Sequence, residues 1–146
     1  MTTIAADLLA ATEHLNTLLT RHPNTLGTIV NASTQTTRGG RPVVKVQVES
    51  FSTANRETAA ALLAWFYLLD NATVCAYEYS SGQNIEVRGE LDGIAYAAYT
   101  GIFDRGVRAY VHKCIEDYAA DDGLVPVSML RRLQVGDVPA VEAVSA

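Results

Sequence analysis

Between residues 73 and 103 apolar and polar side chains alternate in three blocks, separated by two turn signals. Asp92-Gly93, between Leu91 and Ile94, is the dipeptide of a two-residue type I′ hairpin, whose central residues both need positive φ. Ser80-Ser81-Gly82 reads as a three-residue loop with Gly82 in the left-handed position. These turns pair Tyr77 with Ile85, Cys75 with Val87, Val87 with Ala98 and Gly89 with Tyr96. One face then collects Cys75, Tyr77, Tyr79, Ile85, Val87, Leu91, Ile94, Tyr96 and Ala98. The other collects Glu78, Glu86, Arg88 and Glu90, with Tyr99 also on that side. A slip of one residue at either turn would exchange the two sets.

Upstream, residues 42–50 alternate again, and a three-residue loop at Arg38-Gly39-Gly40 sets Val30 opposite Val48, Ala32 opposite Val46 and Thr34 opposite Val44. Helical spacing replaces alternation elsewhere. Ile4, Leu8, Ala11, Leu15 and Leu18 mark an amphipathic helix that stops before His22-Pro23, since the residue before proline avoids helical geometry. A second helix, capped by Ser52 or Thr53, is apolar on every side over residues 59–69, and Asn71 is suited to end it in the left-handed region. Val107, Tyr110, Val111, Cys114, Ile115 and Tyr118 outline a third helix, and Ser128 caps a short fourth one through Leu133.

The order helix–strand–strand–helix–strand–strand–strand–helix (αββαβββα) predicts an α+β fold. Its two layers are a five-stranded, mainly antiparallel sheet and helices packed on one face. Residues 1–135 read as a single domain, followed by a flexible tail at 136–146. The sheet covers one side of the all-apolar helix. The rest needs flanking helices or a second subunit, and the expectation here is self-association through Trp65, Phe66 and Leu69 into a homo-oligomer.

Of the residues, 49% are hydrophobic and 18% charged, as in a globular protein. The net charge of −5 arises wholly after residue 73. That balance argues against general DNA binding, which is driven by phosphate neutralisation. The first residues lack a basic, then apolar, leader, and the longest strictly apolar run, 59–69, is too short to span a bilayer. The expectation is a cytoplasmic protein with no membrane role and with Cys75 and Cys114 reduced.

Little chemistry is visible. His14 and His22 have no acid or cysteine at ligand spacing, and His112-Glu116 supplies half a metal site with no second half, so it reads as an exposed helical pair. No serine elbow, paired cysteine motif, phosphate loop or dinucleotide fingerprint occurs, so neither enzyme activity nor a cofactor or metal is expected. Two surface features stand out. Arg38, Arg41 and Lys45 concentrate positive charge at a hairpin tip, suited to nucleic acid or an acidic protein, or simply to keeping an edge hairpin soluble. Tyr77, Tyr79 and Tyr96 could line a groove for a small ligand or fill the margin of the core.

The blocks Leu62-Leu63-Ala64-Trp65, Val74-Cys75-Ala76-Tyr77 and Glu86-Val87-Arg88-Gly89-Glu90-Leu91-Asp92-Gly93 resemble small uncharacterised α+β accessory proteins of high-GC Gram-positive bacteria and their phages or plasmids. The likeness spans about residues 5–105 and implies a cytoplasmic accessory role without assigning any functional residue. The element order also looks like the dimeric helix-and-sheet chaperones that hold secreted effectors, but departs from them in placing two strands before the central helix and three after it. The expected function is therefore a non-enzymatic protein-interaction module with an unidentified protein partner. The alternatives are a nucleic-acid-associated regulator working through the hairpin tip and a small-ligand-binding or enzymatic domain with a tyrosine-lined pocket.

Overall fold

The computed structural model describes residues 4–36, 39–52, 55–80, 82–119 and 122–137. Its elements run α1 (Ile4–Arg21), β1 (Ile29–Thr36), β2 (Pro42–Val48), α2 (Asn55–Leu68), β3 (Asp70–Tyr79), β4 (Gly82–Leu91), β5 (Ile94–Gly101), α3 (Arg105–Tyr118), β6 (Leu124–Val125) and α4 (Ser128–Val135). The class is α+β as expected, but the sheet has six strands in the order β1-β2-β5-β4-β3-β6. β6 adds two residues to the edge of β3, too short a run to show any period in the sequence. The two hairpin units join edge to edge through a parallel β2–β5 pair, so the sheet is mixed. Parallel pairing needs a long connection, and α2 with β3 and β4 provides it. The junction continues as a bridge from Phe51 to Ile102, and the buried Thr100 hydroxyl donates to the Val48 and Glu49 carbonyls.

The Asp92-Gly93 turn is as its residues dictate, with φ of 53° and 79° and Leu91 opposite Ile94. Val87 faces Ala98 and Gly89 faces Tyr96. In the first hairpin Ala32 faces Val46, Thr34 faces Val44, and Gly40 is left-handed. A bulge between Ile29 and Asn31 sends Val30 to solvent and puts Ile29 opposite Val48, which corrects the expected Val30–Val48 pair.

The β3–β4 turn overturns a larger expectation. Tyr79 pairs with Gly82, and Gly82 is not left-handed, so the connection is one residue shorter than the three-residue loop. Ala76 therefore faces Ile85 and Val74 faces Val87. Every side chain of β3 changes face as a result. Cys75, Tyr77 and Tyr79 join Glu86 and Arg88, while Val74, Ala76 and Glu78 turn toward the helices.

All four helices lie on one side. The stripe Ala61, Leu62, Trp65 and Leu69 at α2 faces the sheet: Trp65 packs on Tyr96 and donates its indole N–H to the Leu26 carbonyl at 3.2 Å. β4 approaches this stripe so closely that a Cβ at Gly89 would fall 2.6 Å from Leu69 Cβ. α4 packs on α2 from the other side, with Arg131 donating to the Tyr67 hydroxyl. Trp65 and Leu69 are thus buried by the chain itself, and only Phe66 of the expected self-association trio stays half-buried. Flanking structure of the same chain covers most of the apolar helix, and Tyr67 stays exposed.

Smaller features follow local rules. Asp104 caps α3 by accepting from the Val107 amide at 2.9 Å. α4 begins at Ser128 after Val127, with no side-chain cap. It ends at left-handed Gly136, where the Gly136 and Asp137 amides bond back to Leu133 and Arg132. Thr53, one of the two expected caps of α2, and the tail beyond Asp137 lie outside the described residues. Asn71 does adopt a positive φ, in the irregular start of β3.

Candidate functional site

With the helices on one side, no described residue outside the sheet forms an element over its opposite face. Across its middle run Val43, Lys45 and Gln47 from β2, Ala95, Ala97 and Tyr99 from β5, Asn84, Glu86, Arg88 and Glu90 from β4, and Thr73, Cys75, Tyr77 and Tyr79 from β3. Small residues at Ala95 and Ala97 lie between longer neighbours and form a trough. One end is a cavity of about 250 Å³ lined by Lys45, Tyr77, Tyr79, Asn84, Glu86 and Tyr99. A second, of about 440 Å³ and mostly apolar, shares Lys45 and Glu86 and continues over Val43, Ala95 and Ala97.

Glu86 is the organising group. It is only 9% exposed although it stands on the uncovered face, and one carboxylate oxygen accepts from Arg88 Nε at 3.1 Å and Nη2 at 2.9 Å. The same Arg88 nitrogen donates to the Tyr77 hydroxyl, and the guanidinium lies 5.5 Å from the Tyr77 ring centre. Burial lowers the Arg88 pKa, but the Glu86 hydrogen bond and the charges of Glu86, Cys75 and Tyr77 together outweigh it, and the net shift is upward. Burial first, and then the neighbouring Cys75 thiol, push the Tyr77 phenol up to about 12, which keeps it a neutral hydroxyl. Glu86 and Arg88 thus neutralise each other on this face.

The residues singled out in the sequence separate as follows. Lys45, Tyr77 and Tyr79 meet in the first cavity, joined by Tyr99. Tyr96 points the other way into the core, so the expected Tyr77–Tyr79–Tyr96 groove does not exist. Arg41 is exposed beside Glu90 at the far end of the face, and Arg38 lies outside the described residues.

Two histidines have partners that linear spacing hid. His14 Nε2 lies 2.7 Å from Asp92 in the hairpin turn, and its Nδ1 meets the Tyr96 hydroxyl. An Asp–His–hydroxyl chain has the order of an acid–base relay, but Tyr96 is 1% exposed against Trp65, so no substrate reaches it. The chain ties α1 to the β4–β5 turn. His112 lies 2.6 Å from both Glu116, its i,i+4 neighbour, and Glu78, which the observed β3 register turns toward the helices. Its two ring nitrogens serve different carboxylates, so the three groups do not converge on a point. Among the described residues no cluster of metal-ligating side chains occurs, and no helix is long and apolar enough to cross a membrane.

No protein-family model, curated protein or solved structure matches this chain.

Proposed function

We propose that this chain is a non-enzymatic protein-interaction module, an accessory protein that offers the open face of its sheet to a protein partner. One observation carries the reading: tyrosines and small apolar residues share that face with an arginine–carboxylate pair that is already satisfied. Tyrosine and arginine around an apolar centre are the composition of interface hot spots. The internal pairing of Glu86 and Arg88 lets a partner cover them without leaving either charge unmatched. On this reading the protein works in the cytoplasm, with buried Cys75 and Cys114 as thiols.

The test uses a photo-crosslinking amino acid in place of exposed Tyr79, in cells that make the full chain. A discrete protein adduct is expected there and not at Tyr118, which is exposed on α3. Replacing Tyr79 and Tyr99 together by Ser should weaken binding of the adducted protein by about thirtyfold or more. Equal adducts at both positions, or binding indifferent to the two serines, would reject the reading. Lys45 among three tyrosines also suits a stacking platform for single-stranded nucleic acid. Salt-sensitive binding of an oligonucleotide, lost on Lys45→Glu, would favour that alternative instead; Glu86 and Glu90 on the same face oppose it.

A further inference from the structure

The two edges of the sheet are guarded differently. One ends in the two-residue β6, and the β3 strand behind it carries Asp70 and Glu78 near its ends. Short strands and charges are the usual means of keeping a sheet edge from pairing with strangers. The other edge is β1, eight residues of sequence IVNASTQT with no charge and no proline. Among the strands of seven residues or more, only β1 and β5 lack a charge. β5 lies inside the sheet, bonded to β2 and β4. β1 has an interior strand's composition but, among the described residues, one unpaired side.

We infer that β1 pairs antiparallel with β1 of a second copy, across a two-fold axis normal to the sheet, to form a continuous twelve-stranded sheet. The bulge at Val30 leaves residues 31–36 in regular register with β2, a segment on which a ladder can form. Self-pairing sets each residue against a counterpart from the same strand, where like charges would repel; β1 has none. Apolar side chains are stranded along this edge as well. Val30 is 57% exposed and Ala32 is exposed on the helix side. Leu9, 60% exposed, lies one turn from Thr12, whose hydroxyl meets that of Thr34 in β1. The axis brings the two α1 helices side by side over the joined strands, and there a second copy covers these residues. A ladder alone buries little. The helix contacts extend it toward the roughly 1,000 Å² that a stable interface needs. This dimer differs from the one expected through Trp65 and Leu69, and is independent of what the open face holds.

An axis normal to the sheet pairs residues with the same facing, so either Ser33 or Thr34, at the middle of the regular segment, meets its own copy. The test combines light scattering with single cysteines placed in turn at positions 31 to 36; native Cys75 and Cys114 are buried. The expected result is a mass of two chains, with oxidative crosslinking greatest at position 33 or 34 and falling on both sides. Ser33→Lys together with Gln35→Lys should weaken the dimer by about tenfold or more. Tyr79→Ser should leave it unchanged. A monomer at all accessible concentrations, a crosslinking profile without that maximum, or a dimer indifferent to the lysines overturns the proposal. The cysteine series does so even if the lysine variant fails to fold.

Discussion

On the helix-covered face of the sheet, Val44, Val46, Val48, Ile85, Val87 and Ala98 are each 1% exposed or less. On the other face the same strands carry Lys45, Gln47, Glu86, Arg88 and Ala97, and two of these, Glu86 and Ala97, are buried without any helix above them. The covered face is closed by apolar packing from outside the sheet. The open face is closed, where it is closed at all, by its own long side chains lying over small ones. The first arrangement makes the fold. The second leaves a surface on which Glu86, Arg88 and Tyr77 are bonded to one another and Tyr79 is exposed to meet a partner.

Substitutions that probe each face should differ in kind. Trp65→Ala removes the largest contact between α2 and the sheet and orphans the Leu26 carbonyl, so a loss of about 3–5 kcal/mol is expected in urea denaturation. A loss below about 1 kcal/mol would break the comparison at its strongest point. Gly89→Val forces side-chain atoms against Leu69 and the Asp70 carbonyl and should cost about 1–3 kcal/mol. Ala97→Val, on the open face beside it in the sheet, should stay within about 1 kcal/mol. Glu86→Ala should cost about 1 kcal/mol, because Arg88 is half-exposed and water replaces the lost partner. A double-mutant cycle with Arg88→Ala measures how far the pair is coupled.

The His112 contribution should be smaller and should carry a definite sign. Hydrogen bonding to Glu78 first, against slight burial, raises its pKa above 6.5. The folded state therefore holds the proton more tightly than the unfolded chain does. Stability from this group is fully present below pH 6.5 and is lost as pH rises through the raised value. His112→Ala should accordingly destabilise by about 0.5 kcal/mol at pH 6 and by less at pH 9. A difference that grows with pH would contradict the paired imidazolium. The least effect on stability is expected for Tyr79→Ser, within about 0.5 kcal/mol by thermal denaturation, although partner binding should fall.

Part of the candidate site was legible in advance. Lys45 and the Tyr77–Tyr79 pair were identifiable as surface features, and Glu86, Arg88 and Glu90 were correctly set away from the core. Their meeting on one face was not legible, because it depended on a single residue in the Ser80–Gly82 connection. A glycine after two serines suits a left-handed bulge or a plain strand start equally well. A bulge there would put Cys75, Tyr77 and Tyr79 on the helix-covered face, opposite Tyr99, and would turn Glu78 away from His112.

Features that depend on the backbone preference of a few neighbouring residues are readable from those residues alone. Asp92-Gly93 dictates its turn, Gly40 its loop, and His22-Pro23 the end of α1. Spacing of apolar residues likewise determined which segments are helices and which are strands. Tertiary structure alone decided the parallel join of β2 to β5, the addition of β6, the covering of α2 by α4, and the reach of His14 to an aspartate 78 residues away. Those contacts are chosen by competition among surfaces that can all bury apolar area. The outcome depends on how whole elements fit together, and no local preference encodes it.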